Sequence, residues 1–304
     1  MKPVVIGLIV VSCVFVITLT LFITYIVLDR QYFTAIHKTL EEAPLVMDTL
    51  PILGDIYNSE RSTKEHEPKL AGLIVEARDH PNLIPVIDNF QYRLPDVPIY
   101  VFHGITNLEK LTRKYGKNPK NIHFIRINSD NLTIRQYNYL MTRPELWRSI
   151  HAENVLVFQT DSVLFSESKV NIEDYYKYDY VGAPWGKMYR YYIRNAFLFR
   201  ALDKHTWTGN GGLSLRKRTT MAEVTHRFPY LSIPYVAEDV YFSNALDSMD
   251  DIKLPERVNA AKLFFESIQS DEIPFGAHRF IPDKFKSQIK PEEMAILEKY
   301  VGKE

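Results

Sequence analysis

The chain has 304 residues, 46% hydrophobic and 24% charged, with only 12 Gly and 17 Pro; this describes an ordered globular chain of one or two domains and excludes collagen-like and low-complexity architectures. Lys+Arg and Asp+Glu are both 37, so there is no global basic field to hold a polyanion, and no nucleic acid partner is expected. The single cysteine, Cys13, excludes an internal disulfide framework and any CxxC metal or redox site, so a metal would have to be held by oxygen and imidazole.

From Val4 to Leu28 the chain carries no charged residue, and about 20 apolar residues suffice to cross a hydrocarbon layer ~30 Å thick. The run exceeds the roughly 7–15 apolar residues of a cleavable signal peptide and is followed by no small-x-small site, so residues 4–28 read as an uncleaved transmembrane signal anchor. Lys2 precedes it, while Asp29 and Arg30 offset each other behind it. The positive-inside bias therefore predicts a short cytosolic tail (1–3) and a luminal or extracellular remainder. Residues 29–68 read as a stem, since Ser59–Pro68 is an exposed, polar tether.

The remainder fits one α/β domain, expected over 69–290. Leu70–Glu76 is a short apolar run of the buried parallel-strand type, and a turn at Asp79–Asn82 leads into Leu83–Arg93, with apolar residues at helical spacing. Pro98–Phe102, His123–Ile127 and Asn154–Phe158 repeat the strand pattern, with helical stretches near 106–115 and 133–150. Such alternation predicts a mostly parallel, Rossmann-like sheet with helices on both faces, and ligand groups at the carboxyl ends of its strands. A Pro-initiated helix closes the chain over 291–304.

Asp161 follows directly on the strand Asn154–Phe158, where a carboxylate can hold a divalent ion or cap the next turn. Gly209-Asn210-Gly211-Gly212 precedes an apolar strand, a setting for close ligand approach or for a hairpin turn. Glu238 and Asp239 stand in an apolar and aromatic context, which suits a general base of raised pKa or a helix N-terminus. Pro274–His278 ends the domain with an imidazole beside a glycine; a lone His is usually structural. Lys187, Arg190, Arg194, Arg200 and Lys204 interleave with aromatic residues, as in a loop over an anionic ligand or a surface resting on lipid headgroups.

In this order, Asp161, the glycine cluster, Ala237-Glu238-Asp239 and His278 resemble the signature of GT-A-type glycosyltransferases. The segments VEARDHPNL, FQTDS, YVGAPW, GNGGLSLR, AEDVYF and PFGAH are similar to a largely uncharacterised GT-A-like domain family, over about residues 70–280. The resemblance implies a GT-A-like catalytic domain that takes a nucleotide-sugar donor and a glycan or protein acceptor. It further implies Asp239 as catalytic base beside Glu238, and a divalent metal (Mn²⁺ or Mg²⁺) on Asp161 and His278. Donor- and acceptor-binding residues are then Glu76, Asp161, Ser162, Trp185, Asn210, Gly211 and Gly212. One departure stands out: Gln159 occupies the place of the first carboxylate of an Asp-x-Asp element. Anchor, stem and luminal domain match the layout of type II Golgi or ER transferases, and Asn131-Leu132-Thr133 is the only acceptor sequon. The rival reading is a catalytically inactive GT-A-like module that binds sugar or nucleotide at a membrane.

Overall fold

The computed structural model describes residues 67–185, 209–228, 230, 237–268, 270–281 and 283–301, all within one compact unit, Ala43–Glu304. The expected membrane span (4–28), the stem up to residue 66 and the basic aromatic stretch 187–204 lie outside the described residues. Among the described residues no helix is long and apolar enough to cross a membrane.

The amino-terminal half alternates strand and helix: β1 (Leu70–Glu76), α1 (Leu83–Arg93), β2 (Ile99–His103), α2 (Leu108–Tyr115), β3 (Ile122–Arg126), α3 (Ile134–Met141), α4 (Pro144–Ser149) and β4 (Asn154–Phe158). The stretch expected as one helix over 133–150 is two. Thr133 opens α3 with a reciprocal capping box to Gln136, and Pro144 at the first turn of α4 enforces the break. The second half adds β5 (Ser162–Leu164), β6 (Tyr180–Ala183), β7 (Asn210–Lys217), α5 (Arg218–Arg227), α6 (Glu238–Asp247), α7 (Arg257–Leu263), β8 (Phe264–Phe265), β9 (Gly276–His278) and α8 (Pro291–Val301).

The main sheet has the order β3-β2-β1-β4-β7-β6. Its first four strands are parallel, but β7 pairs antiparallel with β4 and with β6, so the sheet is mixed rather than mostly parallel. Side-chain alternation along the central strands feeds two cores. Leu70 and Ile74 meet Phe90 of α1, Leu263 of α7 and Leu297 of α8 on one face. Ala71 and Leu73 meet Trp147 of α4, Met221 of α5 and Phe242 of α6 on the other. Helices thus cover both faces, in a Rossmann-like arrangement. The closing helix packs on the same core as the rest: Asn82 Nδ2 donates to the Ile296 carbonyl and Glu293 accepts from the Ser166 N–H.

Of the glycines expected in a loop before a strand, Gly211 and Gly212 belong to the strand itself, since β7 begins at Asn210, while Gly209 precedes it with a positive φ. A small sheet, β5-β9-β8, begins just after β4 in the chain, and its register Ser162↔His278 brings two distant motifs side by side.

Candidate functional site

A cleft of about 460 Å³ opens at the carboxyl ends of β1 and β4, where open α/β sheets present ligand groups. β1 supplies Glu76 and then Arg78; the turn after β4 supplies Gln159 and Asp161. Because β7 runs antiparallel, its beginning rather than its end reaches the cleft, delivering Asn210 and Gly212. The first turn of α6 contributes Glu238 and Asp239, and the end of β9 contributes His278 and Arg279.

One wall is a closed ring of polar contacts. His278 Nε2 lies 3.2 Å from Asp161 Oδ1, and its Nδ1 lies 3.3 Å from Glu266 Oε1. Glu266 accepts from Asn210 Nδ2 at 3.2 Å; Asn210 Oδ1 accepts from the Gly212 N–H at 2.6 Å; the Gly212 carbonyl accepts from Ser162 Oγ at 2.9 Å, beside Asp161. Gly212 has no substitute here, because a Cβ would collide with His278 Nε2. Burial pushes the Asp161 carboxyl up, but His278 and Arg279 outweigh it and hold it below the ordinary range. Burial alone would lower His278; its two carboxylate partners instead raise it to about 9.

The opposite wall rests on a buried ion pair. Arg216, fully enclosed, bonds both Glu238 oxygens at 2.7 and 2.9 Å and lies 4.8–5.6 Å from the ring centroids of Tyr180, Phe242 and Trp147. Glu238 is therefore committed to Arg216. Its neighbour Asp239 is only half-buried, accepting from the backbone N–H groups of Gly211 (3.2 Å) and Val240 (2.8 Å). Burial first, and the charge of Glu238 second, push Asp239 up to about 7.

The expected residues separate into three groups. Glu76, Asp161, Asn210, Gly212, Glu238, Asp239 and His278 line the cleft. Ser162 and Gly211 lie just behind its walls, tied to Gly212 and Asp239. Trp185 is not among the lining residues; it is 3% exposed, and its carbonyl accepts from Arg257. Sequence reasoning passed over Glu266, Arg216 and Arg279. Glu266 directly follows the short apolar run Leu263–Phe265, the strand-end rule already used for Asp161, and Arg279 directly follows the PFGAH segment.

A family model described as "Protein of unknown function (DUF5672)" matches residues 121–278, more than half of the chain. The chain belongs to that family. Within the matched part of this DUF5672 chain lie Asp161, the β7 glycines, Arg216, Glu238, Asp239, Glu266 and His278, whereas Glu76 and Arg279 lie outside it. No curated protein matches the DUF5672 chain in sequence. Two of the solved structures that resemble it distantly are the following. One is 4-diphosphocytidyl-2C-methyl-D-erythritol synthase from Anaerococcus prevotii, with 13% identity and TM-score 0.40, covering 61% of this chain and 86% of that one. The other is the apo form of glycosyltransferase GlyE from Streptococcus pneumoniae, with 13% identity and TM-score 0.39, covering 78% of this chain and 64% of that one.

Among the described residues no group of three or more His, Cys, Asp or Glu is arranged to hold a metal ion. Asp161 Oδ1 and His278 Nε2 are nonetheless buried, in contact, and not aligned as a hydrogen bond. Their 3.2 Å separation suits adjacent corners of an octahedron, which lie about 3 Å apart for ligands ~2.1 Å from the ion. One or two carboxylates are the usual protein complement where substrate phosphate and water complete a Mg²⁺ shell, and Asp161 would be one. Glu266, 3.3 Å from His278 Nδ1, stands where a carboxylate would orient the imidazole were Nε2 to bind a metal.

Proposed function

We propose that this chain is a glycosyltransferase of GT-A-like type, moving a sugar from a nucleotide-sugar donor to a hydroxyl of a glycan or protein acceptor, with inversion and with help from Mn²⁺ or Mg²⁺. The observation that carries the reading is Asp239: a cleft-lining carboxyl raised to about 7, opposite the Asp161–His278 pair. General bases work best when their pKa lies near the working pH. In its carboxylate form Asp239 takes the acceptor proton as the hydroxyl oxygen bonds to the anomeric carbon. The bond from that carbon to the donor's diphosphate oxygen breaks at the same time, and a single displacement inverts the centre. The Gly211 and Val240 N–H groups aim the carboxylate, while Arg216 fixes Glu238 and with it the first turn of α6.

Asp161 and His278 would hold the ion, with Glu266 orienting the imidazole. When bound, such an ion neutralises charge on the departing diphosphate. The proposal also takes residues 4–28 as the anchor of a type II protein in the Golgi or ER, with the cleft luminal. Asn131, exposed just before the cap of α3, is then open to glycosylation, and one endoglycosidase-sensitive glycan is expected in mammalian cells. Its absence, together with full proteolysis in intact microsomes, would reverse the orientation.

The decisive experiment incubates the full chain, purified in detergent, with a panel of radiolabelled nucleotide sugars and Mn²⁺. Release or transfer of label from one donor is expected. Donor-dependent thermal stabilisation without any release would favour the inactive binding module, and no response to any donor would remove the transferase reading.

A further inference from the structure

A second hollow, of about 380 Å³, shares no lining residue with the cleft. Its walls come from the loop after β5 with the 3₁₀ turn Ile172–Tyr175, from the end of α7, and from the residues leading into β9. Hydrogen bonds hold these walls in place without a ligand. Ser168 Oγ donates to the Ile273 carbonyl at 3.0 Å, Arg93 of α1 donates to the Ser168 carbonyl at 3.3 Å, and Tyr175 OH donates to the Asn259 carbonyl at 3.1 Å. Burial first, and the charge of Glu272 second, push the Tyr175 phenol up to about 12, so it keeps the proton that this bond needs.

The charges around the hollow are out of balance. Lys169 lines it from before the turn, Lys177 from after it and Lys262 from α7, while two carboxylates, Asp174 and Glu272, share the lining. Only Lys262 meets one of them, 3.6 Å from Glu272. Among the described residues Lys169 enters no ion pair, and Lys177 meets only the face of Tyr178, 5.2 Å from the ring centroid. Cations gathered about one concavity repel one another, and an anion seated among them removes that repulsion. The two carboxylates restrict what the anion can be: they repel a compact polyanion, yet they accept hydrogen bonds from hydroxyl groups. A ligand that satisfies both sets carries a negative charge on a body rich in hydroxyls.

We propose that this hollow binds an acidic saccharide, whose carboxylate or sulfate meets Lys169 and Lys177 and whose hydroxyls donate to Asp174 and Glu272. The part-buried Tyr178 ring gives the sugar an apolar edge to lie against. The site is outside the cleft, and its occupancy does not depend on the transferase reading.

The test titrates sialyllactose, sulfated lactose and neutral lactose into the full chain in uncharged detergent, at about 50 mM and about 300 mM salt. At the lower salt one acidic sugar should bind about tenfold more tightly than lactose, and which of the two does so separates carboxylate from sulfate; the advantage should shrink at the higher salt. Lys169→Ala combined with Lys177→Ala should weaken that binding roughly 5- to 25-fold, about two- to fivefold for each exposed charge. Tm should stay at the parent's value, because neither side chain is buried or enters an ion pair among the described residues. No binding of either acidic sugar, or affinity equal to that of lactose, would overturn the proposal, as would binding that the double variant leaves unchanged. Inorganic sulfate displacing the sugar at equal concentration would reduce the hollow to a bare anion site, and polyglutamate outcompeting both sugars would assign it to an acidic peptide; either result removes the saccharide.

Discussion

On the wall built from β4, β8 and β9, Asp161 faces His278 and Arg279, and its carboxyl is held below the ordinary range despite burial. On the wall built from β7 and α6, Asp239 has backbone N–H groups and a second carboxylate for neighbours, and its carboxyl rises to about 7. The same residue type thus serves as a permanent anion on one side and a proton acceptor poised near neutrality on the other. Environment, not identity, divides the work, as it does wherever paired carboxylates carry separate roles. The price of the second wall is an uncomfortable pair of adjacent acids, made tolerable because Arg216 neutralises Glu238 from behind.

The sharpest way to break this comparison is to remove the charge that titrates. Asp239→Asn should lower the chemical step roughly 10²- to 10⁴-fold while donor affinity stays near the parent's, the mark of an interaction made in the transition state. In the parent, kcat/KM should fall about tenfold per pH unit below about 7, because only the carboxylate accepts a proton. Turnover of the Asn variant within a few-fold of the parent would remove Asp239 from the mechanism.

Next in size is the ion pair behind the wall. Glu238→Gln leaves the Arg216 charge buried among three aromatic rings without its partner, and removing one member of such a pair destabilises by about 3–5 kcal/mol. Chemical denaturation should show this loss. A variant as stable as the parent would mean that Arg216 finds another anion, and that Glu238 has a different task.

A smaller effect is expected on the opposite wall. Glu266→Gln keeps size and an acceptor oxygen but withdraws the charge behind His278, which should weaken Mn²⁺ binding roughly 10- to 100-fold with little change in Tm. Electron paramagnetic resonance of Mn²⁺ titrated into the full chain reads this directly. Unchanged Mn²⁺ affinity would make Glu266 a partner of Asn210 alone.

The strands β1 to β4 and helices α1 and α2 were legible within a residue or two, because uninterrupted apolar runs and a helical stripe such as Leu83, Val86, Ile87 and Phe90 have few alternatives. The direction of β7 was not. Its Leu213-Ser214-Leu215-Arg216 alternation is the pattern of an antiparallel strand with a polar face, but that face is buried here by a charge pair whose acid lies 22 residues away in sequence. The same limit applies to the site. Asp161 and Asp239 stood out by position after a strand and before a helix, and His278 by its PFGAH segment, whereas Glu266 takes its place beside His278 only through the β8–β9 pairing. Trp185 shows the same limit, since an aromatic near a glycine suggests a sugar platform or a core position equally well, and burial to 3% exposure is visible only in the fold.

The smallest effect concerns stability and probes the raised carboxyl without reference to substrate. The folded Asp239 carboxyl titrates near 7, whereas an unfolded one titrates near 4. Between those values the folded chain keeps a proton that the unfolded chain has lost. The contribution of this group to stability therefore declines as pH rises from about 4 to about 7 and levels off above. Asparagine carries no such burden. Asp239→Asn should thus gain on the parent as pH rises, with a Tm difference more positive at pH 8 than at pH 5. For a domain of this size each kcal/mol corresponds to roughly 2–4 °C, and partial exposure of Asp239 limits the gain to a few degrees. The Asn side chain retains only one acceptor for the two N–H groups of Gly211 and Val240, which subtracts a similar amount at every pH. The pH dependence of the difference, not its sign at any one pH, is the measurement. A difference that stays flat from pH 5 to pH 8 would mean that Asp239 ionises like an exposed carboxylate, and the contrast with Asp161 would disappear.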